Sequence, residues 1–121
     1  MALAVPGSAS DSARTFRSPT GNITCEVSAG GTSGTWVFCQ SFRLPQSVRL
    51  SPEGEVAVCT GRDCLRPRPL NPTMRLKYGA SVRFGPFRCL SRRYMVSCWV
   101  GSFANHNRHG FGINLHGMLR F

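Results

Sequence analysis

Six cysteines, at positions 25, 39, 59, 64, 89 and 98, constrain this 121-residue chain more than any other feature. Such density in one small chain points to disulfides in an oxidising compartment. Six thiols allow 15 connectivities, and local patterning chooses among them. In "NITCEVS", Ile23, Cys25 and Val27 alternate with Thr24, Glu26 and Ser28, the period of two of a half-buried strand. "AGGTSG" is a flexible connection and "TWVFCQSF" the returning strand, so Cys25 faces Cys39. "VRLSPEGEVAVC" reads as a second hairpin, with Pro52 and Gly54 at the second and fourth places of a type I turn. It ends at Cys59, whose neighbour is Cys64. "PFRCLS" and "YMVSCWV" form a third hairpin around Ser91–Arg93, setting Cys89 against Cys98. Pairing in chain order follows: Cys25–Cys39, Cys59–Cys64 and Cys89–Cys98. Each loop this short stabilises by roughly 2–3 kcal/mol in the chain-entropy model.

Thirteen glycines and eight prolines cut the rest into short segments. "CLRPRPLNPTM" is an extended connection, because Pro67, Pro69 and Pro72 lack the donor a central strand needs. "GFGINLHGMLRF" reads as one closing strand, with Phe111, Ile113, Leu115, Leu119 and Phe121 on one side. No helix, heptad or internal repeat stands out in the sequence. The expected fold is all-β: a small antiparallel β-sandwich or barrel of short strands with three disulfides and little or no helix.

Residues 1–15 carry no apolar periodicity, and "ALAVPGSAS" resembles the end of a secretory signal peptide cleaved near Ala9 or Ser10. They are expected to form a residual leader or mobile arm, followed by a single disulfide-stapled domain over residues 16–121. No apolar stretch approaches the roughly 20 residues of a membrane span. The expectation is a secreted, extracellular protein.

The 15 Lys and Arg residues outnumber the five Asp and Glu residues, for a net charge of +10. No acid follows Asp63, so the surplus lies entirely in the second half. Such a field attracts polyanions and acidic partners. Arg83, Arg88, Arg92 and Arg93 lie on two consecutive short strands and their turn, and are expected to form one anion-binding surface.

The motif F-x-S-P-x-G-N-I-x-C at Phe16–Cys25 resembles the opening of a family of small secreted, disulfide-rich actinobacterial domains of unknown function. Leu76-x-Tyr78-Gly79, Phe87-x-Cys89-x-Ser91, Val96-x-Cys98 and His109-Gly110-Phe111 extend the likeness over Phe16 to Phe121. Met95, Arg108 and Asn114 depart from it, standing where that family usually has two glycines and a serine. The resemblance implies export, disulfides and one all-β domain, without an activity.

All three histidines, His106, His109 and His116, crowd into "NHNRHGFGINLHG". Zinc needs three or four ligands, and no acid or unpaired thiol stands nearby. No CxxC occurs either, so neither a metal nor another cofactor is expected. A secreted basic ribonuclease is the alternative: His109 with His106 or His116 as the acid–base pair, and Lys77 holding the phosphorane. Against it, the histidines lie within one loop and strand, and the plainer reading makes His109 structural. Asn22-Ile23-Thr24 matches the glycosylation sequon, Ser18 and Ser91 lack triad partners, and Trp36, Phe38, Tyr94 and Trp99 read as core or strand-pair residues. The favoured function is a non-enzymatic binding module. It would act as adaptor, inhibitor or accessory subunit for another secreted protein, or bind an anionic cell-envelope polymer, with nucleic acid a less favoured partner.

Overall fold

The alternating segments become strands in a computed structural model that describes residues 14–28, 34–67, 74–101 and 107–121. Strands β1 (Arg14–Arg17), β2 (Ile23–Ser28), β3 (Trp36–Ser41), β4 (Gln46–Leu50) and β5 (Val56–Thr60) form a meander, each antiparallel to the next. After a single 3₁₀ turn, Arg62–Cys64, a two-residue strand β6 (Met74–Arg75) pairs parallel to β1. A second meander follows: β7 (Ser81–Phe84), β8 (Phe87–Arg92), β9 (Met95–Val100), β10 (His109–Asn114) and β11 (Gly117–Arg120). The result is a six-stranded sheet A, ordered β5-β4-β3-β2-β1-β6, and a five-stranded sheet B, ordered β11-β10-β9-β8-β7. The first strand starts at Arg14, two residues before the expected boundary. Residues 1–13, which carry the expected leader, lie outside the described part.

Register explains the core. Phe16 pairs with Cys25, Cys25 with Cys39 and Cys39 with Val48, so one face of sheet A presents an apolar row inward. On sheet B, Val82, Cys89, Cys98 and Phe111 form the matching row. Phe16, Phe87, Phe111, Leu50 and Ile113 are fully buried between the two. The three disulfides are those expected from hairpin pairing. Cys25–Cys39 and Cys89–Cys98 each bridge directly opposed strand residues, with Cα atoms 4.0 Å apart. Three of their sulfurs, those of Cys25, Cys39 and Cys98, lie within 4.8 Å of one another, so the two bridges meet where the sheets face.

The Pro52 turn forms as its spacing predicts: Gly54 N–H donates to the Ser51 carbonyl at 3.0 Å, and Gly54 takes a φ of 92° that favours glycine. The closing segment differs from expectation. It is a hairpin, not one strand. Asn114 Oδ1 accepts from the backbone N–H groups of His116 (2.7 Å) and Gly117 (3.0 Å), reversing the chain at Leu115–His116. The reversal pairs Ile113 with Met118 and Phe111 with Arg120. Leu119 and Phe121 therefore turn to the opposite face from Phe111 and Ile113.

The outer face of sheet A is covered over β2 and β3 by the chain's own segment 65–67. Gln40 Nε2 donates to the Arg66 carbonyl (3.0 Å), and Arg66 N–H donates to Gln40 Oε1 (2.8 Å). The Arg66 guanidinium then lies 4.1 Å from the Phe38 ring centre and 5.4 Å from that of Trp36, with Glu26 3.5 Å away. Trp36 and Phe38 are thus no free platform; as expected they are buried, strand-paired residues, and they lie beneath arginine.

Candidate anion-binding face

Strand pairing dictates what the outer face of sheet B presents. Arg83 pairs with Arg88, Arg88 with Trp99 and Trp99 with Gly110, and Gly110 exchanges two 3.0 Å backbone hydrogen bonds with Phe121. One row across β7 to β10 and on to the last residue therefore reads arginine, arginine, tryptophan, glycine, phenylalanine. The next row runs Ser81, Leu90, Ser97, Gly112 and Leu119, and Arg92 sits beside Met95 in the one after. Arg88 and Arg92 follow the two-residue period on β8, while Phe87, Cys89 and Ser91 point inward and are buried. Three of the four expected arginines thus share a face, and Arg93 occupies the adjoining turn, exposed.

Directly opposed like charges on neighbouring strands repel, and Arg83 and Arg88 are both exposed. Among the described residues no carboxylate meets either one. The described carboxylates sit on sheet A or beside its strands, at Glu26, Glu53, Glu55 and Asp63. The face holds positive charge that the fold itself leaves unneutralised.

Beside the arginines is a shallow cavity of about 270 Å³, bordered by Leu90, Arg92, Met95, Trp99, Arg108 and Phe121. Its floor is low because Gly110 and Gly112 have no side chains. A Cβ on Gly110 would strike the Cys98 carbonyl and lie 2.7 Å from Trp99 Cβ, and one on Gly112 would come within 2.8 Å of Met95 Sδ. Arg108 lies over Phe121 at 4.5 Å and Trp99 at 5.6 Å. Sequence reasoning missed this groove. The signal was the alternation Gly110-Phe111-Gly112-Ile113, a strand with side chains on one face only.

The remaining candidates separate. His109 opens β10 and packs against Gly54 of the β4–β5 turn, joining the two sheets. His116 lies in the exposed β10–β11 turn. The five residue steps from His109 to Asn114 span roughly 17 Å at strand rise, so His109 and His116 do not flank one phosphate. His106 lies outside the described residues. Lys77 is exposed, and its carbonyl accepts from Ala80 N–H in the turn before β7. Ser91 is fully buried, and Ser18 accepts the Ile23 N–H at 3.2 Å within the β1–β2 turn. In the sequon, Asn22 Oδ1 accepts from Arg43 N–H at 2.9 Å and the Asn22 amide nitrogen is buried, so its side chain serves the fold.

Compared with known proteins, the chain matches no family model, no curated protein and no solved structure. Three disulfides fit an oxidising environment, and no helix among the described residues is long and apolar enough to cross a membrane.

Proposed function

We propose that this chain is a secreted, non-enzymatic binding domain, of the disulfide-rich actinobacterial type its motifs resemble, that takes an anionic partner on the outer face of sheet B. The observation that carries this reading is the Arg83–Arg88 cross-strand pair, exposed and without a carboxylate. A fold that sets two guanidinium groups side by side gains when an external anion separates and neutralises them. Arg92 and Arg93 extend the positive strip along β8. The partner is an anionic cell-envelope polymer or the acidic surface of another secreted protein. Arginine's planar fork suits sulfate, phosphate and carboxylate alike.

Titration calorimetry with heparin, as a generic polyanion, tests the reading. Wild type should bind, and Arg83→Ser/Arg88→Ser should bind at least tenfold more weakly with a melting temperature no lower than that of wild type. Equal affinity of the two proteins would refute it. Incubation with RNA in parallel decides the ribonuclease alternative: cleavage that disappears in His109→Ala would replace the binding reading with an enzymatic one.

A further inference from the structure

Six connections gather at one end of the sandwich, and backbone contacts fix them side by side. Phe42 N–H donates to the Asn22 carbonyl (3.2 Å), tying the β3–β4 turn to the β1–β2 turn. Gly61 N–H donates to the Pro45 carbonyl (2.9 Å), which brings in the 3₁₀ turn. Gln46 Nε2 reaches the carbonyls of Asn114 (3.1 Å) and Gly117 (3.2 Å) across the sheets, adding the β10–β11 turn. Pairing of Ile113 with Val96 places the β8–β9 turn next to it, and Gly79 N–H donates to the Ser91 carbonyl at 2.6 Å.

These turn tips are unusual in what they expose. Leu44 is 40% exposed, Tyr78 49%, Tyr94 78% and Leu115 36%, each on a different turn of this end. They are half of the exposed large apolar residues among the described part, which otherwise lie on strands β5, β6 and β11 or at the last residue. Interleaved with them are exposed cations: Arg43 beside Leu44, Lys77 beside Tyr78, and Arg92 and Arg93 beside Tyr94. Asp63 in the 3₁₀ turn is the single carboxylate there among the described residues, and Arg62 adjoins it. The opposite end differs. Its β4–β5 turn carries Glu53 and Glu55, and its described turns expose no large apolar side chain.

Apolar and tyrosine tips ringed by cations fit a bilayer with anionic headgroups. Tyrosine favours the headgroup region, with its ring in the acyl boundary and its hydroxyl in water. Each cation near an anionic leaflet strengthens binding about fivefold. A polymer would need the charges alone, and would give Leu44, Tyr94 and Leu115 nothing to enter. We infer that this end of the sandwich is a membrane-docking tip that inserts Tyr94, Leu115, Tyr78 and Leu44 shallowly into an anionic lipid surface. The tip shares Arg92 and Arg93 with the strip along β8, but the Arg83–Arg88 row lies towards the other end of that strand and takes no part in it.

Vesicle sedimentation tests it, using phosphatidylcholine vesicles with and without about one third phosphatidylglycerol. Wild type should sediment with the anionic vesicles only. Tyr94→Ser/Leu115→Ser keeps every charge and alters only exposed turn residues, yet should lose at least tenfold in affinity. Arg83→Ser/Arg88→Ser should lose heparin binding and still sediment, which separates failure of the tip from failure of the polyanion face. Tyr94→Trp should show an indole blue shift on anionic vesicles that excess glycerol phosphate does not reverse. No sedimentation, or equal sedimentation of wild type and Tyr94→Ser/Leu115→Ser, would overturn the proposal.

Discussion

Gly110 shows how much one side chain can decide. Its hydrogen atom is all the space left between β9 and the chain, with the Cys98 carbonyl where a methyl group would go and Trp99 Cβ 2.7 Å from it. Gly110→Ala should therefore cost about 2–4 kcal/mol, since neither the Cys98 carbonyl nor Trp99 can retreat without moving β9. Urea denaturation checks it; a change below about 1 kcal/mol would show that the strands give way easily. Gln40 offers a second comparison. Its amide holds both backbone groups of Arg66, while the Glu26–Arg66 ion pair above it is about half exposed. Gln40→Ala should cost about 1–3 kcal/mol because it leaves backbone polar groups poorly satisfied, whereas Glu26→Gln should cost less than about 1 kcal/mol. The reverse order would mean that charge, not the amide clamp, holds the segment down.

Among the elements, the disulfide hairpins were legible because each cysteine pair flanks its own turn signal. "AGGTSG" separates Cys25 from Cys39, and a turn was expected around Ser91–Arg93 between Cys89 and Cys98; the structure keeps Ser91 and Arg92 in β8 and turns at Arg93–Tyr94. The β10–β11 hairpin was not, since no Asn-Gly or Asp-Gly marks it. Its signal was subtler, an asparagine whose side chain does the work of a backbone acceptor two and three residues on. Strand β6 is only two residues long and pairs parallel to a strand more than fifty residues earlier, which no local pattern announces. The bridges also differ in setting. Cys25, Cys39, Cys89 and Cys98 are buried, while Cys59 is exposed at the free edge of β5. A mild reductant should open Cys59–Cys64 first, as mass spectrometry after alkylation would show. Cys59→Ser/Cys64→Ser should cost about 2 kcal/mol for so short a loop. Cys89→Ser/Cys98→Ser should cost more, because two hydroxyls would then sit without partners in the core. First opening of a buried pair would contradict this ordering.

At the scale of the molecule, the two sheets repeat one plan. Each is built on a five-stranded meander, to which sheet A adds β6, with the meander's second and third strands stapled by a disulfide, and the two staples meet in the core. No sequence repeat betrays this, because the halves share only the placement of cysteines and the inward period of two. They differ in charge and in cover. Sheet A carries its own acids and is covered in part by segment 65–67; sheet B has no acid and keeps its outer arginines uncovered. That asymmetry was readable from the sequence as a surplus beyond Asp63, but only the register showed Arg83 opposite Arg88. The most direct test is the salt dependence of heparin affinity for wild type and Arg83→Ser/Arg88→Ser. If these arginines displace counterions on binding, affinity should fall steeply with salt, and the double substitution should flatten the logarithmic slope by about two. An unchanged slope in the variant would contradict an anionic partner on this face.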